Sequence, residues 1–282
     1  MRVALATCLH KPEPDPDEEL LVAALARAGL GPRVLAWDDP EAAWHEVDLC
    51  VLRSTWNYPH RPDDFLAWAR RVAGVTRMLN PLPVLEDNYH KSYLARLAAR
   101  GVAVVDTVHL ARGAAPELAA LLDERGWSRA VVKPAVSAAS LGTWRIDRAE
   151  AELSQQRFTA DVALRDTMVQ PYLRGVEEPG ERALIWIDGA LTHAIRKTAR
   201  FAGEHERVSE ALAIADDERE LAEAALAPLA ARLLYARVDV VRDDAGAPRI
   251  MELELIEPSL YLAEHPPALA RLVAAIVART RE

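Results

Sequence analysis

The alternation of apolar and polar positions divides the chain into three stretches of different character. Val3–Cys8, Val34–Ala36 and Leu49–Leu52 are short apolar runs that read as buried strands, and Asp17–Ala28, closed by Gly29, carries the period of an amphipathic helix. A short helix over Pro40–His45 completes a small layer of parallel strands joined by helices. Arg61–Val72 is helical, with Phe65, Trp68 and Val72 forming its apolar stripe. The proline-rich segment Asn80-Pro81-Leu82-Pro83 then marks a boundary.

The middle of the chain predicts a helix over Asn88–Arg100 stopped by Gly101, a strand over Val102–Val108 and a helix over Ala115–Arg125. Strands at Val131–Lys133 and Gly142–Ile146 follow. From Thr167 strands dominate: Met168–Tyr172 ends one, and Ala183–Ile187 pairs with Ala190–Ile195 across Asp188-Gly189. Glu218–Leu233 reads as a long helix, Ala236–Val241 and Arg249–Ile256 as a second hairpin, and Pro266–Arg279 as a closing amphipathic helix. The expected organisation is an N-terminal α/β domain over residues 1–80 and two α+β lobes over 81–170 and 171–282. No internal repeat is visible.

Composition narrows the function. The 282 residues carry a net charge of −9, which argues against non-specific nucleic-acid binding and against an anionic membrane surface as partner. No apolar run reaches the length of a membrane span, and the chain opens on a strand rather than a signal peptide. Cys8 and Cys50, the only cysteines, sit in apolar runs and are expected as buried thiols in a cytoplasmic protein. The first strand is followed by Thr7-Cys8-Leu9-His10-Lys11-Pro12 and lacks the Gly-x-Gly-x-x-Gly turn of a dinucleotide crevice. His10, His45, His90 and His193 show no metal-ligand spacing and are expected as surface or satisfied polar residues.

The second hairpin holds the most informative residues. If it is centred on Ala245/Gly246, Asp239 lies opposite Glu252, and Glu254 shares their face. Three carboxylates on one face repel one another unless a cation lies among them, and hard oxygen ligands suit Mg²⁺, with Mn²⁺ as the alternative. The plainer alternative is a cross-strand ion pair between Arg237 and Glu254, with the remaining acids solvated. Two lysines also stand out: Lys91 at the start of the predicted helix, and Lys133 at the tip of a buried strand. Lys133 precedes a loop of small and hydroxylated residues, Ala135–Thr143, of the kind that lets backbone N–H groups approach an anion. In an open α/β layer ligands bind beyond the carboxyl ends of strands, which places Arg53, Ser54, Thr55 and Asn57 on the candidate substrate side, Arg53 clamping a carboxylate. The alternative for that segment is an ordinary polar turn with Trp56 packed on the next helix.

The order of these features resembles the ATP-grasp superfamily across roughly residues 80 to 260, and within it the O-ureido-D-serine cyclo-ligases of D-cycloserine biosynthesis. The segments that carry the resemblance are Arg53–Tyr58, Asn88–Lys91, Val132-Lys133-Pro134, Arg196-Lys197, Tyr235–Asp239 and Met251–Pro258. It implies an ATP-grasp fold whose two lobes sandwich the nucleotide behind a small parallel α/β domain. It implies that Lys91 and Lys133 grip the ATP phosphates under a mobile loop containing Ser137 and Ser140. Gln170, Tyr172 and Leu173 would read adenine, and Glu178 or Glu181 would reach the ribose. Arg196, with Lys133, would stabilise the phosphoryl transition state, and Asp239, Glu252 and Glu254 would hold Mg²⁺. The superfamily more commonly has Glu-x-Asn where this chain has Glu252-x-Glu254. The segment Ala199–Ala215, with Glu204, Glu206 and Arg207, is placed at the acceptor site.

The implied activity is ATP- and Mg²⁺-dependent ligation: activation of a small amino-acid-like substrate by phosphorylation, then capture by a nitrogen nucleophile. An intramolecular cyclo-ligase is expected first, with an intermolecular carboxylate–amine ligase or a catalytically silent nucleotide sensor as alternatives. The protein is expected to act as a monomer or homodimer.

Overall fold

The computed structural model describes residues 1–138, 140–198 and 207–281. Three four-stranded sheets organise them. The first is parallel throughout, in the order β2-β1-β3-β4, and comprises β1 (Arg2–Thr7), β2 (Gly31–Ala36), β3 (Leu49–Ser54) and β4 (Arg77–Leu79). Helix α1 (Glu18–Arg27) crosses between β1 and β2, and α2 (Pro62–Ala73) between β3 and β4. Phe65, Trp68 and Val72 of α2 are buried with Trp37 and Trp44, as the helical stripe requires. The predicted helix over Pro40–His45 is only a 3₁₀ turn at Trp44–Glu46; six residues form too few hydrogen bonds to offset the cost of helix nucleation.

Helices α3 (Leu82–Asn88) and α4 (Tyr93–Ala99) replace the single helix expected over Asn88–Arg100. Pro83 lies in the first turn of α3, where its missing N–H costs nothing. The chain breaks between the two helices because the Lys91 N–H donates to the Ala135 carbonyl instead of extending a helical ladder. Both helices bury apolar residues in a core shared with the C-terminal sheet.

The second sheet is antiparallel, in the order β5-β8-β6-β7. Its strands are β5 (Val108–Leu110), β6 (Arg129–Pro134), β7 (Trp144–Asp147) and β8 (Thr167–Pro171), backed by α5 (Leu118–Arg125) and α6 (Ala151–Leu164). The strand expected at Val102–Val108 is only an isolated bridge at Val104 before β5. Helix α6 has no counterpart in the sequence reading. It buries only Ala151, Phe158 and Val162 and leaves Leu153 and Leu164 exposed, which blurs its apolar stripe.

The third sheet is also antiparallel, in the order β10-β9-β11-β12. It comprises β9 (Glu181–Ile187), β10 (Ala190–Lys197), β11 (Tyr235–Arg242) and β12 (Pro248–Glu254). Asp188 and Gly189, both at positive φ, close the two-residue turn between β9 and β10. Helix α7 (Asp216–Leu226) ends before Pro228, which cannot donate to a helical ladder, so the helix expected as far as Leu233 stops early. One face of this sheet packs on α4 and α7; the other packs on the first sheet and on α8 (Pro266–Arg279). Among the described residues no helix is long and apolar enough to cross a membrane.

His193 of β10 is 2% exposed, stacks on His265 at 4.7 Å and shares a 2.9 Å hydrogen bond through Nδ1 with the Thr192 hydroxyl. Burial, with His265 beside it, pushes its pKa down to about 4. Between that value and the ordinary histidine pKa the unfolded chain binds a proton that the native protein refuses. The His193 contribution to stability therefore falls by about 3 kcal/mol as pH drops from roughly 6.5 to 4. The difference between the melting-temperature–pH curves of the wild type and His193→Gln should show this slope.

Candidate active site

The register of β11 against β12 sets the centre of the site. Arg237 pairs with Glu254 and Asp239 with Glu252, but Val240 pairs with Ile250, so Met251 is an extra residue in β12. This bulge matters because side chains alternate: a regular ladder continued from the turn would place Met251 opposite Asp239 and turn both glutamates into the apolar core. With the bulge, Asp239, Glu252 and Glu254 offer carboxylate oxygens within 4.8 Å of one another. Asn88 and Tyr93 fix the strand from behind. The Asn88 side chain donates to the Leu253 carbonyl at 2.8 Å and accepts from the Leu255 N–H at 2.9 Å, while the Tyr93 hydroxyl accepts from the Leu253 N–H at 3.0 Å.

Among the described residues three cations meet these acids. Lys91 Nζ lies 2.6 Å from Glu252 Oε1 and donates to the Ser137 carbonyl at 2.7 Å. Lys197 Nζ lies 2.7 Å from Asp239 Oδ2 and also pairs with Glu181. Arg237 forks onto Asp239 at 2.9 and 3.0 Å and pairs with Glu254. Both readings of the hairpin are thus realised at once: the acids converge, and Arg237 faces Glu254. Lys133, 8% exposed, has no carboxylate in ion-pair contact among the described residues.

Electrostatics separate the acids. Burial acts to raise the Asp239 carboxyl, but Arg237 and Lys197 outweigh it and hold its pKa at about 2. Burial is likewise outweighed at Glu252, by Lys91 and then Lys133, and its pKa is lowered. At Glu254 burial wins over Arg237, and the neighbouring Asp239 and Glu252 add to it, so its pKa rises to about 8. Burial pushes the Lys133 ammonium below its ordinary value. A hard divalent cation fits this donor set, because converging carboxylates that repel one another are what such an ion relieves.

Two cavities flank the cluster. One is lined by Lys133, Ser137, Ser140, Gln170, Tyr172, Leu173, Glu181, Lys197 and Met251, among others. Gln170 is oriented by a 2.8 Å hydrogen bond to the Thr107 hydroxyl. The other cavity is lined by Trp56, Tyr58, Tyr89, Glu257 and Ser259. Lys91, Ser137, Arg237, Glu252 and Glu254 face both, forming a shared wall.

Several expected site residues stand elsewhere. Arg196 is exposed on the opposite face of β10 from Lys197, its Cγ against Gly180 and its N–H donating to the Ser209 hydroxyl. Lys197, in step with Ile195 and the inward face, occupies the place expected for Arg196. Glu178 is exposed and lines neither cavity. Arg207 is exposed beyond the end of β10, where its carbonyl accepts from the Thr198 N–H; Glu204 and Glu206 lie outside the described residues.

Arg53, Ser54 and Thr55 are fully buried and line neither cavity. The C-terminal lobe covers the end of β3: Arg53 lies 3.9 Å from Asp17 and over the Tyr235 ring, while Ser54 bonds to the Thr7 hydroxyl. The crevice expected beyond β3 is therefore closed. Asn57 turns away to Trp37 and Asp38. Trp56, read as packing in the plainer alternative, lines the second cavity instead, and its indole N–H donates to the Glu257 carbonyl.

Known proteins share this fold. The chain is 34% identical over 284 residues to the cycloserine biosynthesis protein DcsG of Streptomyces lavendulae, covering 95% of each. It belongs to the DcsG family of ATP-grasp ligases. The profile described as "D-cycloserine synthetase DcsG, N-terminal domain" matches residues 3–80. The crystal structure of D-cycloserine synthetase DcsG superposes with a TM-score of 0.90 at 32% identity, over 99% of both chains. D-alanine–D-alanine ligase from Bacillus anthracis complexed with ATP shares the fold at 17% identity, with a TM-score of 0.68 over 99% of this chain and 96% of its own. The ATP-grasp ligase PsnB, complexed with a precursor, Mg and ADP, does so at 18% identity and a TM-score of 0.65, over 97% and 96%. Like its DcsG relatives, the chain is a ligase.

Proposed function

We propose that this chain is an ATP- and Mg²⁺-dependent cyclo-ligase acting on a small ureido amino acid of the O-ureido-D-serine type, with Mn²⁺ as the alternative ion. The observation that carries the reading is the charged wall shared by two cavities, one lined by the lysines and hydroxyls that suit phosphate oxygens and the other by aromatic and acidic residues that suit a small amino-acid-like acceptor. In this reading Lys133 and Lys91 neutralise the phosphates, and Ser137 and Ser140 belong to the loop over them. Gln170, Tyr172, Leu173 and Glu181 enclose the nucleoside. Asp239, Glu252 and Glu254 would hold Mg²⁺, which supplies charge neutralisation between phosphate oxygens when bound.

The chemistry then needs alignment more than covalent help from the protein. A carboxylate or ureido oxygen of the substrate, in the second cavity, attacks the γ-phosphorus across the shared wall. A nitrogen of the same substrate then attacks the activated carbon, the bond to the phosphate oxygen breaks, inorganic phosphate leaves, and the nitrogen gives up its proton as the ring closes. Lys197 and Arg237, fixed by Asp239, are the cations available to the transferring oxygens in place of Arg196. Lys197→Met is expected to lower kcat by about 100-fold. Arg196→Ala should stay near the wild-type rate; the reverse pattern in steady-state assays would restore Arg196 to the reaction. We place the protein in the cytoplasm, since Cys8 and Cys50 are free and buried.

The direct test is ADP and phosphate release with O-ureido-D-serine and a panel of amino acids and amines. Release with O-ureido-D-serine alone, accompanied by a cyclic product, is expected. Release only when an amino acid and a separate amine are both present would instead make the chain an intermolecular ligase.

A further inference from the structure

We propose that Glu257 anchors the α-ammonium group of the substrate, so that the second cavity selects compounds with a free amino group beside the reacting carboxyl. This inference rests on the ligase reading above and names the substrate class of the same site. Glu257 is 7% exposed and lines the second cavity. Among the described residues no cation pairs with its carboxylate: Lys91 is bonded to Glu252, and Arg237 to Asp239 and Glu254. The other acids of this cavity have partners, since Glu252 and Glu254 sit in those pairs and Glu13 has one of its own. The Glu257 carbonyl accepts from the Trp56 indole at 3.0 Å, which holds the segment through its main chain, while the carboxylate meets its own main-chain N–H and feels Lys91 and Arg237 only through space.

A buried carboxylate without a counter-ion is costly, and a ligand that brings the cation relieves that cost. Burial raises the Glu257 pKa to about 7, the state of an acid waiting for such a partner. Position points the same way. Glu257 lines the second cavity only, whereas Lys91, Arg237, Glu252 and Glu254 line both. The reacting oxygen must face that shared wall, where the phosphoryl group arrives. In an α-amino acid the ammonium is carried on the carbon next to the carboxyl, and so reaches an adjacent wall of the same cavity. The rings of Trp56 and Tyr58 line that cavity beside Glu257 and favour a cation over a neutral group.

The test is calorimetric binding to the full-length protein saturated with Mg²⁺-ADP, using O-ureido-D-serine, its N-acetyl derivative, D-serine and D-alanine. Wild-type protein should bind the free amine and reject the N-acetyl compound by about 30-fold or more. Glu257→Gln should weaken the free amine by about 30-fold while leaving Mg²⁺-ADP affinity unchanged, and should largely erase the discrimination. Glu257→Asp should recover part of the loss. Unchanged affinity in Glu257→Gln, equal binding of the N-acetyl compound by wild-type protein, or no binding of any free amine overturns the anchor. Glu257-dependent binding of D-serine without turnover of O-ureido-D-serine would keep the anchor and remove the cyclo-ligase reading. The N-acetyl comparison uses unaltered protein and decides the matter even if the variants fold poorly.

Discussion

Glu252→Gln is expected to lower Mg²⁺-dependent turnover by at least ~100-fold while the protein stays folded. Glu252 is the residue on which most of the site converges. It lies opposite Asp239 in the ladder, 2.6 Å from Lys91, and within the field of Lys133, and it faces both cavities. Glutamine keeps its shape and removes its charge, so the ion site loses a hard anionic ligand and Lys91 loses its counter-charge. Lys91 still has the Ser137 carbonyl to hold it, which limits the structural damage. The measurement is kcat over a Mg²⁺ titration, with melting temperature as the control for folding. Wild-type rates at saturating Mg²⁺ would take Glu252 out of the ion site.

Lys133→Ala should weaken ATP binding by about 100-fold. Solvation sets the size of this effect. The ammonium is buried on β6 with no carboxylate in contact among the described residues, and burial already lowers its pKa. Such a group destabilises the free protein and gains most when a polyanion arrives. Two signs should therefore appear together: loss of nucleotide affinity by calorimetry, and a melting temperature of the ligand-free protein that is unchanged or higher. A fall in melting temperature with unaltered affinity would make Lys133 a structural residue.

What the sequence disclosed depended on whether a local rule governed the position. Asp239, Glu252 and Glu254 were legible because alternation within each strand is local; Asp239 does pair with Glu252, but the turn is centred on Ala245 rather than Ala245/Gly246, and the extra residue Met251 makes up the difference. Alternation could not separate Lys197 from Arg196, because Ala194 and Ile195 before them are both buried, on opposite faces of a sheet packed on both sides. Arg53 lies away from both cavities for another reason. Its strand does end where ligands gather in an open α/β layer, but the C-terminal lobe lies over that end, and no local pattern reports a cover built some 180 residues later in the chain. The break at Lys91 is also tertiary, made by the Ala135 carbonyl. Arg237 and Glu257 lie in Tyr235–Asp239 and Met251–Pro258, beside the acids. Their roles come from facing a second cavity that exists only after the lobes meet.

The single surplus residue at Met251 has a consequence for how this site can vary. Because the acids are aligned by a backbone ladder and not by a loop, their geometry is complete before any ligand arrives, and the entropy of gathering them is met during folding. The turn 243–247 can therefore drift in composition at little functional cost. Slippage of β12 by one position cannot, since it would drive two glutamates against Leu97 and Leu226. Relatives that lengthen the turn while keeping the offset should retain the acid cluster, and those that regularise the strand by slippage should lose it.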